Sequence, residues 1–126
     1  MDMTTPLIVQ SERQCMRVIE TLARLGDRWT LPVVVTLSEE TMRFNQIRRA
    51  IEGISQQMLT RTLRTLERDG MISRVVHPTT PPQVEYALTP LGLALAEQAM
   101  RLGQWALAHE SEIDEHRARF DRQRNA

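Results

Sequence analysis

From Gly53 to Gly70 the chain reads GISQQMLTRTLRTLERDG, and its apolar positions return at helical spacing. At about 100° per residue, Leu59, Leu63 and Leu66 share one face with Met58 beside them, while Gln57, Arg61, Arg64 and Arg68 line the opposite one. Ser55 is a capping residue type and Gly70 a stopping one, so the pattern predicts one helix of about four turns. Two readings are open for it. It is either an ordinary amphipathic helix with a solvated arginine face, or a helix that buries its leucines and offers glutamine and arginine to the floor of a DNA major groove.

The rest of the chain is patterned around this stretch. Ser11 with Gln14 resembles a capping box, and Cys15, Val18, Leu22 and Leu25 follow at alternating spacings of three and four before Gly26. That spacing suits a seam against another helix, from this chain or from a second subunit. Asp27 is placed to cap a further helix carrying Trp29, Val33 and Leu37, in which Pro32 demands a later start or a bend. Thr41 to Phe44 reads as a short strand, and Asn45 to Ile51 as a brief helix that buries Ile47 and Ile51. Glu52-Gly53-Ile54 is then a turn between two helices, which gives a helix-turn-helix. After Gly70 the period changes. Met71 to His77 and Gln83 to Leu88 are strand-like around a tip with three prolines, a β-hairpin or wing. Thr89-Pro90 opens a last helix with Leu91, Leu95, Leu102 and Trp105 at coiled-coil-like spacings. The predicted class is mainly α with a small β-hairpin. Residues 1–10 form a loose arm, 11–108 the domain, and 109–126 a charged tail that is either a solvated helix or partly disordered.

Charge sharpens this picture through its distribution. The formal net charge is zero, and all sixteen basic residues are arginine. Seven of them lie between Arg43 and Arg74 against three acidic residues, so that window is +4 and the remainder −4. Positive charge gathered around one helix is an electrostatic footprint for phosphate. A length of 126 residues favours one domain, and the single cysteine excludes an internal disulfide and fits a reducing, cytoplasmic setting. No signal peptide or membrane span is visible. His77, His109 and His116 stand singly, no metal-ligand spacing or glycine-rich phosphate loop occurs, and nothing places a histidine beside Cys15, so no enzyme, metal or cofactor is expected.

In order and residue content the chain resembles the HxlR family of bacterial transcriptional regulators, winged helix-turn-helix proteins related in fold to the MarR group. The resemblance rests on GDRW at Gly26 to Trp29, RF at Arg43-Phe44, GIS and MLT within Gly53 to Thr60, LRTLERDG at Leu63 to Gly70, PPQVEYALTPLG at Pro81 to Gly92, and Trp105 late in the last helix. Together these span about eighty residues without a large gap. The resemblance implies a homodimer held by the first and last helices, here through Val18, Leu22, Leu25, Leu95, Leu102 and Trp105. It also implies a recognition helix in a major groove and a wing near a minor groove. The family's regulatory cysteine precedes the tryptophan by thirteen residues and is usually followed by proline. Met16 stands at that place, Cys15 lies one residue earlier with no proline after it, and one residue is about 100° of helix. Cys15 is thus either a sensing thiol or one more residue of the apolar seam.

For duplex DNA, Ser55 is expected to cap the recognition helix and aim its amides at a phosphate. Gln56, Gln57, Thr60 and Arg61 are placed to read base edges, and Arg64 and Arg68 to reach the backbone. Arg43, Arg49, Arg74 and His77 are further contacts. Arg68 and Arg74 have an alternative task, pairing with Glu67 or Asp69. The expected function is a dimeric regulator at a palindromic operator, controlled by a small apolar ligand or an electrophile. A winged-helix protein-interaction module without DNA readout is the alternative.

Overall fold

The computed structural model describes residues 12–125. The arm at 1–10 and the Ser11 half of the capping box lie outside the described residues. Helix α1 (Glu12–Leu25) closes where the Gly26 amide donates to the Leu22 carbonyl at 2.8 Å. Asp27 then turns the chain, its Oδ1 accepting from the amides of Trp29 and Thr30 at 2.8 and 2.9 Å, and α2 (Thr30–Leu37) begins. Pro32 therefore sits in the first turn, where an amide has no partner within the helix to lose. The conflict seen in the sequence is settled by a later start.

Burial alone pushes the Asp27 carboxyl upward, but the amides of Thr30 and Trp29 and the Thr30 hydroxyl outweigh it, so the group titrates below its ordinary value of 3.8. A pKa lowered by folding stabilises above the unfolded value and stops doing so as pH falls through the folded one. Asp27→Ala is expected to cost about 0.5–1 kcal/mol at pH 7, the low end for a cap because the carboxylate is well solvated. In urea melts that difference should shrink as pH falls through the lowered folded-state value. An equal difference at pH 7 and pH 2.5 would show that the charge on the carboxylate plays no part.

Strand β1 (Met42–Arg43) leads straight into α3 (Phe44–Ala50), whose Gln46 side chain reaches back to accept from the Arg43 amide at 2.8 Å. Gly53, at φ +86°, reverses the chain into α4 (Gln56–Arg68), and Ser55 Oγ accepts from the Met58 amide at 3.1 Å. At the far end Gly70 adopts φ +76°, with Gly70 N–H bonded to Glu67 O and Met71 N–H to Leu66 O, a Schellman stop. Strands β2 (Ile72–His77) and β3 (Gln83–Leu88) form the hairpin in register from Ile72 opposite Leu88 to His77 opposite Gln83. The hairpin is also the larger part of a three-stranded antiparallel sheet in the order β1-β3-β2, with Met42 opposite Tyr86. Thr89 caps α5 (Pro90–Arg124), accepting from the Gly92 amide at 3.1 Å while its own hydroxyl donates to the Gly70 carbonyl. The end of α4 and the start of α5 are thus tied through one side chain. Helix α5 runs through the charged segment 109–124 unbroken, which selects the solvated helix over a partly disordered tail.

The core lies beneath α4. Val33, Val34 and Leu37 of α2, Ile47 of α3, Leu59, Leu63 and Leu66 of α4, Ile72 of β2 and Ala96 of α5 meet there, with Trp29, Phe44 and Tyr86 packed against it. Helix α1 buries none of its residues, and Met16, Ile19 and Leu22 are about 60% exposed. Helix α5 buries Gly92 and Ala96 alone. Of the expected seam, Cys15, Val18, Leu25 and Leu95 are half-buried, whereas Leu22, Leu102 and Trp105 lie open.

Candidate nucleic-acid interface

The apolar stripe of α4 decides which way its other face points. Leu59, Leu63 and Leu66 are sunk to 3% exposure or less, so Gln57, Arg61, Arg64 and Arg68, about half a turn away, stand in solvent. Gln56 is exposed beside them, and Thr60 is half-buried with its hydroxyl donated to the Gln56 carbonyl at 2.8 Å. Its hydroxyl oxygen remains able to accept. Ser55 is occupied as the cap, which leaves the Gln56 and Gln57 amides, the first two of the helix, without an intrahelical acceptor. Donors at a helix N-terminus beside a row of guanidinium groups suit an anion.

The wing is placed by strand pairing. Arg74 on β2 and Arg64 on α4 line one recess of about 410 Å³ between helix and sheet, together with Phe44, Thr60, Glu67 and Tyr86. Tyr86 and Glu85 face β1 across the sheet, as expected of strand residues that fix the wing. His77 has a partner in Glu85, Nε2 to Oε2 at 3.5 Å, and is half-buried. At the tip, Thr79 donates its hydroxyl to the Pro81 carbonyl at 2.8 Å. Arg43 and Arg49 are exposed, the first at the start of α3 and the second in its last turn.

The pairing expected as an alternative task for Arg68 and Arg74 does not form among the described residues, and Asp69 instead faces Arg24 of α1 at 3.7 Å. That bridge links elements more than forty residues apart and leaves no mark in local sequence. Arg28 was missed altogether. Its guanidinium lies 4.7 Å from the centroid of the Trp29 ring and lines a recess shared with Met58, Arg61 and Thr65, on the flank of α4. The motif GDRW carried the signal, but only the fold brings it beside the recognition helix. Cys15 is half-buried on α1, remote from these groups in sequence. Among the described residues no group of three or more histidine, cysteine or acidic side chains is arranged to hold a metal ion.

A short turn between α3 and α4, an exposed polar face on the second of them and a hairpin beside it define a winged helix-turn-helix protein. Residues 24–114 match the HxlR-like helix-turn-helix family, and the chain belongs to it. It is 43% identical over 86 residues to the uncharacterized HTH-type transcriptional regulator YtfH of Escherichia coli (strain K12), covering 68% of each chain. Among solved structures it is similar to the redox regulator HypR in its reduced form, with a TM-score of 0.73, 33% identity, and 79% of this chain and 98% of that one covered. It is also similar to the reduced form of the transcriptional regulator YodB from Bacillus subtilis, with a TM-score of 0.66, 35% identity, and 73% and 90% covered. The resemblance read from the sequence motifs is confirmed, and with it a place among transcriptional regulators.

Proposed function

We propose that the protein regulates transcription as a homodimer that places α4 of each subunit in the major groove of a palindromic operator. The half-sites would lie about 34 Å or a multiple of it apart, the pitch of B-form DNA. One observation carries the reading: Gln56, Gln57, Arg61, Arg64 and Arg68 all stand exposed on a helix whose other face is fully buried. In this reading Gln56, Gln57, Thr60 and Arg61 reach base edges, and the free amides behind Ser55 receive a phosphate. Arg64, Arg68, Arg43, Arg49 and Arg74 hold the backbone, with His77 at the wing. The exposed apolar positions Leu22, Leu102 and Trp105, with Val18, Leu25 and Leu95 beside them, supply the contact between subunits. A small apolar ligand seated along that seam, or modification of Cys15, would bias the spacing of the two recognition helices. No helix among the described residues is long and apolar enough to cross a membrane, which supports a cytoplasmic setting.

Arg61→Ala is expected to weaken operator binding by about 1–3 kcal/mol and to relax the preference at one base pair, while leaving the thermal midpoint unchanged. Binding competition against a random duplex pool reads this directly. A uniform loss on every sequence would reassign Arg61 to a phosphate, and absence of duplex binding at low salt by the unaltered protein would end the proposal. In that event the winged-helix interaction module is the reading that remains.

A further inference from the structure

A B-form major groove is about 12 Å wide and a helix with its side chains about 10–12 Å across, so a helix seated in one has a wall of phosphates on either side. The two flanks of α4 are built differently. Toward the wing, Thr60 and Arg64 border the recess that also holds Arg74 and Tyr86. On the other flank, Met58, Arg61 and Thr65 border a recess of about 270 Å³ that also holds Arg28 and Trp29, where α2 begins. At about 100° per residue, Met58 and Thr65 turn to one side of Arg61, and Thr60 and Arg64 to the other. The two recesses therefore lie on opposite sides of the exposed face, each with an arginine brought in from another element.

Arg28 is exposed and forms no ion pair among the described residues. Its guanidinium is held 4.7 Å from the centroid of the Trp29 ring. Stacking engages the flat face of a guanidinium and leaves the N–H donors at its edge open, in the fork that suits a phosphate. The ring beneath is itself fixed. Trp29 packs against the core, and a Cβ at Gly53 would come within 3.9 Å of its Cη2, so the platform rests on the same turn that sets the start of α4. Asp27, the acidic residue lining this recess, is committed through Oδ1 to the amides of Trp29 and Thr30. We infer that Arg28 contacts a phosphate of the DNA on the side of α4 opposite the wing, with Trp29 as the residue that positions it. The inference rests on α4 entering a major groove and adds the second wall to that reading: Arg64 and Arg74 hold one line of phosphates, Arg28 the other. A phosphate is the same at every sequence, so Arg28 supplies affinity and register without base preference.

Titration of the full chain with a random duplex pool over a range of salt concentrations tests it, with thermal melts to establish that each variant is folded at the temperature used. Arg28→Gln, which removes the charge and keeps a polar side chain, should weaken binding severalfold on every duplex. It should also lower the slope of log K against log salt by about 0.9 for each copy of the side chain that meets DNA. Arg28→Lys retains the charge but not the flat stack, so it should keep the slope and lose only part of the affinity. A purely structural role would leave the slope of folded Arg28→Gln equal to that of the unaltered protein, and that result overturns the inference. So does a loss confined to the preference at one base pair, which would make Arg28 a base reader. Absence of duplex binding by the unaltered protein is the separate result that ends the regulatory reading, and this inference with it.

Discussion

Leu59→Ala is expected to destabilise the protein by about 3–5 kcal/mol, the largest loss of any single truncation on the recognition helix. Leu59 is wholly buried and belongs to the cluster that joins α4 to α2, α3 and α5. The rigid helices around it cannot collapse far into the space left, so a cavity term adds to the lost transfer energy. Against a total stability of about 5–15 kcal/mol for a domain of this kind, such a loss unfolds a measurable fraction at 37 °C. Operator binding should then fall with the folded fraction and recover on cooling, unlike the loss from Arg61→Ala. Equilibrium urea melts read the difference, and a cost below about 1 kcal/mol would show that the leucine stripe is not what anchors the helix.

The second large effect is expected at Gly92, where helix propensity and packing predict opposite signs. Alanine is favoured over glycine inside a helix by about 1 kcal/mol. A Cβ at Gly92, however, would stand 2.0 Å from the Met71 carbonyl oxygen and 3.0 Å from a Leu88 methyl carbon. That carbonyl cannot move freely, because it accepts the Thr89 amide at 3.0 Å and follows directly on the Schellman stop of α4. Gly92→Ala should therefore cost about 1–3 kcal/mol or more and loosen the joint between recognition helix, wing and α5. Gly103 is the internal control, since a Cβ there meets nothing within 4 Å. Gly103→Ala should stabilise by up to about 1 kcal/mol. Thermal melts of the two variants should move in opposite directions, and a shift of the same sign in both would refute the close-approach argument.

These two residues also show where sequence reading reaches and where it stops. Leu59 was placed in the core correctly because its neighbours at 63 and 66 repeat the signal within two turns. Gly92 appeared only as one letter of a matching motif, since the atom that excludes a side chain comes from Met71, twenty-one residues away. The same contrast runs through the interface. The outward direction of Gln57, Arg61, Arg64 and Arg68 followed from helical period alone, whereas the neighbourhood of Arg64 with Arg74, the pairing of His77 with Glu85 and the position of Arg28 against Trp29 depend on how separate elements meet.

By itself the sequence determined the order of elements, the caps at Ser55 and Thr89, the stops at Gly26 and Gly70, the hairpin and the family. Each of these is written in contacts within a few residues or in a local motif. The tertiary structure alone decided that β1 joins the wing as a third strand, that Asp69 turns to Arg24 rather than to Arg68 or Arg74, and that α5 projects past its own core. The reason is physical: hydrogen bonding and period act along the chain, but ion pairs, close approaches and uncovered faces arise only when distant segments compete for the same space.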